Sequence, residues 1–283
     1  MSAVTYSKRG LSGPLSSQDV VLFGGTIAWC HNWTAFRLVS AAVDAEIVPM
    51  AQWKRGTNDV LREYARTHPN ATWLIGNEPQ MPDQDSLSAA RAAGSYRERA
   101  EMILGIAPKS RFVIGGFLIA HDWRVDPNSC YVPDDPRTFE AGPGYWITFW
   151  EASRKFWESL DDRFLGWHIH VYYRDWEEPP YELRWFRRAV LSFYAWMRKA
   201  TPRKQLWVTE WGCLKWRFDD TTDAPGYPRD YIRRCMAWMD TRPWIQRYAW
   251  FIGRGGTDET RGASFALIRN GKLTSLGEVY ANG

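Results

Sequence analysis

Short apolar runs alternate along this chain with longer stretches of helical period. The strand-like runs are Tyr6–Leu11, Val20–Trp29 (at least its end), Ala45–Gln52, Thr72–Asn77, Arg111–Leu118, Leu165–Tyr172, Gln205–Glu210 and Gln246–Ile252. Between them, apolar or small residues return every three or four positions. Leu87, Ala90, Ala93, Tyr96, Ala100 and Ile103 form one stripe, and Phe186, Ala189, Val190, Phe193, Trp196 and Met197 a second. The pairs Ile232/Met236 and Cys235/Met239 mark a third helix. Strands alternating with helices predict a parallel sheet, and eight such strands predict its closure. The expected fold is therefore α/β: a single (β/α)8 TIM barrel with elaborated βα loops, spanning residues 1–283. No repeat, low-complexity tract or interdomain linker divides it, and barrels of about 250 residues often form one domain. The stretches Arg124–Gly144 and Arg217–Pro228 each follow a predicted strand. Both are expected as loops on the C-terminal rim, where barrel active sites are built.

Composition narrows the partners. Hydrophobic residues make up 45% and charged residues 24%, which is the balance of a folded globular chain. No stretch approaches the roughly 18 apolar residues of a membrane helix. The net charge of +4 is spread over 36 basic and 32 acidic residues without a dense Lys/Arg stripe, so neither membrane nor nucleic acid is an expected partner. The four cysteines, Cys30, Cys130, Cys213 and Cys235, show no CxxC spacing, and buried thiols are favoured over disulfides. Residues 1–20 lack the apolar core of a secretory signal, which leaves the compartment open. A monomer is expected. The unusual count is 18 tryptophans, more than a core needs. Trp29, Trp33, Trp53, Trp123, Trp211, Trp216 and Trp250 with Phe251 cluster at predicted strand ends. Indole packs well on the C–H face of a sugar ring, so several are expected to line a groove. Trp157, Trp185, Trp196 and Trp238 fall in helical patterns and are expected in the core.

Two acidic residues carry the candidate chemistry. Glu78 ends the run TWLIGNEP and Glu210 ends QLWVTEWG, each a buried-looking strand finishing on a carboxylate. Such a position is costly unless the acid is solvated, paired or used. Strand C-termini converge in a barrel, so residues far apart in sequence can face one another. Paired carboxylates across a cleft suit glycoside hydrolysis: one protonates the leaving oxygen, the other attacks the anomeric carbon or activates water. The alternatives are a helix start or an ion pair with arginine. Asn77, beside Glu78, either holds a sugar hydroxyl or caps a turn. Pro79 biases Glu78 toward extended geometry. In GWHIHVYY, strand alternation puts His168, His170 and Tyr172 on one face, toward the barrel interior. An HxH pair can hold zinc, but the remaining His31, His68 and His121 sit in no matching run, so metal is the weaker reading. No GxGxxG, Walker or GxSxG motif is present.

In order, the runs KRGL, AWCHNW, IVPMAQW, LIGNEP, HIHVYY, VTEWG and RYAWF resemble glycoside hydrolase family 128 of clan A, one motif per strand through nearly the whole chain. The resemblance implies a (β/α)8 barrel and a retaining, endo-acting β-1,3-glucanase needing no metal or organic cofactor, with a β-glucan oligo- or polysaccharide as partner. It implies Glu78 as acid/base after the fourth strand and Glu210 as nucleophile after the seventh. It places Asn77, Tyr172 and Trp250 against substrate; His170, Trp29, Asn32, Trp53 and Trp211 are expected beside them from their places at the strand ends. Cys30-His31, where the family usually carries aromatic residues, and the second histidine of HIHVYY depart from its pattern.

Overall fold

Nine strands, each paired in parallel with its neighbour, make the main sheet: β1 (Arg9–Ser12), β2 (Trp29–His31), β3 (Glu46–Ile47), β4 (Met50–Ala51), β5 (Thr72–Ile75), β6 (Arg111–Ile119), β7 (Phe164–Tyr173), β8 (Gln205–Cys213) and β9 (Ile245–Trp250). The computed structural model describes residues 8–35, 45–54, 57–81, 84–119, 143–173, 182–213, 227–255 and 265–283. The sheet order runs β3-β2-β1-β9-β8-β7-β6-β5-β4. Its two ends, β3 and β4, are consecutive in sequence. Val48 N–H donates to Cys30 on one side (2.9 Å) and Leu74 N–H to Pro49 on the other (2.9 Å), so residues 46–51 form one stave that closes the ring. Eight staves result, as the alternation predicts.

Helices α1 (Ser17–Val21), α2 (Asn58–Thr67), α3 (Ala89–Ile106), α4 (Pro143–Ser159), α5 (Leu183–Ala200), α6 (Pro228–Asp240) and α7 (Ser275–Asn282) separate or follow the staves. The stripes of α3, α5 and α6 are buried as their spacing requires, except that Ala90 of α3 is exposed and Trp196 of α5 is half-buried. Three strand boundaries are corrected: β5 stops at Ile75 short of Asn77, β8 runs past Glu210 to Cys213, and the second strand starts late. Residues 17–21 are helical, because Ser16 and Asp19 form a reciprocal capping box, and only Trp29 of the run Val20–Trp29 is strand. Residues 124–142 and 217–226, the bulk of the two expected rim loops, lie outside the described residues, as do Trp123, Cys130, His121 and Trp216.

Alternation along the staves sorts side chains into two layers. Trp29, Val48, Met50, Leu74, Val113, Trp207 and Ala249 fill the barrel axis. Their neighbours Trp73, Ile75, Phe112, Ile114, Leu206 and Val208 join the larger layer under the helices. There Trp167 packs edge-on against Phe193, Trp196 and Trp150. Each large buried side chain contributes roughly 1.5–3 kcal/mol. Trp157 and Trp238 are buried, while Trp185 and Trp196 are half-buried against the same layer. Cys30, Cys213 and Cys235 are buried thiols.

Candidate active site

Above the axial hydrophobic layer, the barrel interior turns polar. His31, His168, His170, Thr209 and Glu210 are all buried there. Glu210 reaches this position through a β-bulge. Val208 pairs with Ile169 of β7 and Tyr248 of β9, but the next pairs are Glu210–His170 and Trp211–Trp250, leaving an extra residue in β8. With Trp207 on the axis and Val208 outside, the insertion lets Thr209 and Glu210 both face inward and sends Trp211 out. Thr209 Oγ1 meets His168 Nδ1 at 3.0 Å, and its carbonyl meets His31 Nε2 at 2.8 Å.

Glu78 arrives on a turn rather than on a strand. β5 ends at Ile75, and Glu78 takes a left-handed backbone (φ 43°) where an extended one was expected. The conformation costs of order 1–3 kcal/mol for a non-glycine residue and persists only under surrounding constraint. Glu78 N–H donates to the Gly116 carbonyl at 2.8 Å, and Met81 N–H donates to the Glu78 carbonyl at 2.9 Å. A Cβ on Gly116 would stand 2.7 Å from the Gly76 carbonyl oxygen, so this contact requires glycine.

The two acids then converge. Glu78, His170 and Glu210 each bring one potential ligand atom within 4.8 Å of the others. His170 Nδ1 lies 2.9 Å from Glu78 Oε1 and 3.6 Å from Glu210 Oε2. Glu210 accepts from Trp33 Nε1 on Oε1 (2.9 Å) and from the Tyr172 hydroxyl on Oε2. Its side chain is 4% exposed, that of Glu78 12%. Burial opposes a charge on His170, but the Glu210 and Glu78 carboxylates outweigh it and raise its pKa above the ordinary value. Burial pushes Glu210 upward and the nearby Glu78 adds to this, while His170, Tyr172 and Trp33 favour its ionised form. Among the described residues this is the one group of three or more possible metal ligands. His170 Nδ1, Glu78 Oε1 and both Glu210 oxygens are engaged in hydrogen bonds, an arrangement suited to holding and passing a proton. His170 Nε2 has no protein partner.

The model of the glycosyl hydrolase catalytic core family matches residues 10–280. The chain belongs to this family. It is a glycoside hydrolase, as the paired carboxylates suggest. Three solved structures share the fold over almost the full length of both chains. A subgroup II family-128 endo-β-1,3-glucanase from Sorangium cellulosum has a TM-score of 0.70 and 21% identity, covering 97% of this chain and 98% of the other. A subgroup III curdlan-specific exo-β-1,3-glucanase from Blastomyces gilchristii, solved with glucose, has a TM-score of 0.68 and 21% identity, covering 98% of each chain. A subgroup I endo-β-1,3-glucanase from Amycolatopsis mediterranei, solved with laminaritriose, has a TM-score of 0.61 and 19% identity, covering 97% and 98%. No curated protein matches the chain.

Within this glycosyl hydrolase, the residues expected against substrate divide. His170 and Tyr172 touch the two acids directly. Asn77 is buried beside Glu78; its amide donates to Gln84 at 2.9 Å, and its Oδ1 has no protein partner. Asn32 is half-buried, with Oδ1 accepting from Thr34 N–H at 2.8 Å, so it caps the turn after β2. Trp53 is half-buried at the third stave's rim with Arg99 over its ring at 5.4 Å. Three tryptophans offer no face to a sugar, contrary to expectation. Trp29 is sealed inside the barrel, its N–H on the Lys8 carbonyl and its ring against His31 and Trp207. Trp211 packs outward on Phe186, Tyr231 and Tyr280. Trp250 meets Trp211 edge-on and donates to the Phe265 carbonyl. Two other aromatics of the strand-end cluster take their place. Trp33 donates to Glu210, and half-buried Phe251 lies 5.9 Å from Trp33 and 5.5 Å from Tyr172. Alternation could have found both: Trp33 is in phase with Trp29 and His31, and Phe251 is out of phase with Trp250.

Proposed function

We propose that this glycoside hydrolase is a retaining, endo-acting β-1,3-glucanase in which Glu78 is the acid/base and Glu210 the nucleophile. The observation that carries the reading is the close approach of two differently furnished carboxylates. Retaining enzymes place their carboxyl groups about 5–5.5 Å apart and inverting ones roughly 6.5–9.5 Å. Oxygens of Glu78 and Glu210 within 4.8 Å of each other favour the shorter class. The Trp33 and Tyr172 donors hold a Glu210 carboxylate ready for attack. Glu78 protonates the glycosidic oxygen as the Glu210 carboxylate bonds to the anomeric carbon. The ionised Glu78 then takes a proton from water, which attacks the same carbon and releases Glu210. His170 Nδ1, on Glu78 Oε1, leaves Oε2 for the substrate. β-1,3-Glucan is favoured by the β-1,3-glucanase activities of the structural neighbours. Endo action is favoured by Trp33, Trp53 and Phe251, which place aromatic surface around the rim after the second, third and eighth staves.

The test is hydrolysis of laminarin. A rapid fall in viscosity relative to reducing ends, with the β-anomer of the product appearing first by proton NMR, is expected. An α-anomer first would overturn retention, and glucose as the sole early product would overturn endo action. Glu210→Gln should lower turnover by roughly 10³-fold or more with the fold intact. Glu78→Ala should lose activity on poor leaving groups and recover part of it in azide.

A further inference from the structure

We propose that Asp85 is a positioning residue that locks the Glu78 turn to the rim of the third stave. The proposal rests on the reading of Glu78 as the acid/base. Asp85 lies in the polar stretch between that turn and α3, yet it is only 1% exposed. Its two oxygens accept four hydrogen bonds from three separate parts of the chain. Oδ1 takes the backbone N–H groups of Trp53 (2.8 Å) and Lys54 (3.2 Å). Oδ2 takes Asn77 N–H (3.1 Å) and the Tyr96 hydroxyl of α3 (2.8 Å).

Two of these donors adjoin the chemistry. Asn77 precedes Glu78, whose left-handed backbone must be held by its surroundings. Gly116 fixes the Glu78 amide, Leu87 N–H holds the Pro79 carbonyl at 2.7 Å, and Asp85 fixes the amide on the near side. The Tyr96 ring crosses Gly76 so closely that a Cβ there would lie 2.3 Å from it, and this brings its hydroxyl onto Asp85. Residues 76–78 are thus gripped from the α3 side through one carboxylate. The same carboxylate holds the backbone of Trp53, with Arg99 over the ring and bonded to the Trp53 carbonyl at 3.3 Å. A buried carboxylate facing four donors forms strong, charge-assisted bonds. An uncharged amide in its place would aim N–H groups at N–H groups.

Asp85→Asn tests this with two probes. Laminarin needs a proton on its leaving oxygen. A 2,4-dinitrophenyl β-laminaribioside does not, and its kcat/KM reports attack by Glu210 alone. Misplacing a catalytic group by about 1 Å can cost 10²-fold. We expect kcat/KM on laminarin to fall about 10²-fold, and kcat/KM on the aryl glycoside to stay within about threefold, at unchanged far-UV circular dichroism. Tyr96→Phe, which removes one donor and keeps the carboxylate, should show the same split with a smaller loss, and it carries the test if Asp85→Asn does not fold. Equal loss on both probes, or no loss on either, would overturn the proposal. A wild-type protein inactive on both would instead overturn the glucanase reading. The clamp would then be read from amide exchange: faster exchange of the Asn77 and Trp53 amides together in Asp85→Asn supports it, and unchanged exchange overturns it.

Discussion

Glu210 combines two opposed requirements: it must be ionised to attack, yet it is almost fully buried. Its carboxylate is supported by two neutral donors, the Trp33 N–H and the Tyr172 hydroxyl, with the His170 imidazole 3.6 Å away. Hydrogen bonds to a charged group contribute about 1.5–3 kcal/mol each. Trp33→Phe removes one such bond while keeping an aromatic ring beside Phe251. A donor to the ionised form lowers a carboxyl pKa, so its loss raises that of Glu210. The limb on which activity appears as pH rises should therefore move to higher pH. A fall in kcat of about tenfold, equivalent to roughly 1.4 kcal/mol, is expected above that limb. The pH dependence of kcat/KM on an aryl laminaribioside checks this. An unmoved limb would mean that the indole N–H does nothing for the nucleophile.

At the scale of elements, the site is built from irregularities in otherwise regular staves. The stave pattern and the two glutamates closing buried runs were legible from hydrophobicity, although Glu78 lies on the turn after β5 and Glu210 inside β8. The direction of Trp211 was not legible. The bulge at Thr209–Glu210 inserts a residue that no periodicity shows, and it turns Glu210 in and Trp211 out. Asp85 was equally hidden, since a polar run containing Pro, Asp and Ser reads as an exposed loop until its backbone partners are known. The capping box at Ser16 and Asp19 could have been read, and would have shortened the second strand. A second irregularity, at Gly115–Gly116 of β6, supplies the carbonyl that holds Glu78. Gly116 has φ +62°, and a methyl there would also press on His168 Cε1 at 3.0 Å. Gly116→Ala should therefore destabilise the fold by about 1–3 kcal/mol and reduce laminarin hydrolysis more than the loss of folded protein explains. Chemical denaturation, with activity normalised to folded enzyme, measures both. A variant with full stability and activity would show that Gly116 only lines the barrel.

Across the whole molecule, the polar floor of the cleft sets a limit on the acid side. His31 is sealed between Trp29, the Thr209 carbonyl and the nearby His170, and burial lowers its pKa from 6.5 to about 4. His168, between Thr209 and the Ile75 carbonyl with His170 and His31 close by, is lowered in the same direction, first by burial. Both rings are neutral in the folded protein, whereas their unfolded counterparts take up protons below about pH 6.5. The unfolded chain thus binds more protons as pH falls, and stability declines with it through the window from about 6.5 to 4. For His31 alone the difference corresponds to roughly 3 kcal/mol. His170 has the opposite sign: its raised pKa contributes stability that is present below its unfolded value and fades as pH rises through the folded one. Glu210 and Asp85, whose carboxyls burial raises, also favour the folded state as pH falls. The acid decline is expected to prevail because the two sealed imidazoles are lowered the furthest. A loss of roughly 5–10 °C in Tm between pH 6.5 and 4 follows for a domain of this size. Thermal melts across that window, with imidazole titrations followed by NMR, measure it. A flat melting profile, or a His31 resonance titrating near 6.5, would place water beside that ring and remove the floor's claim on stability.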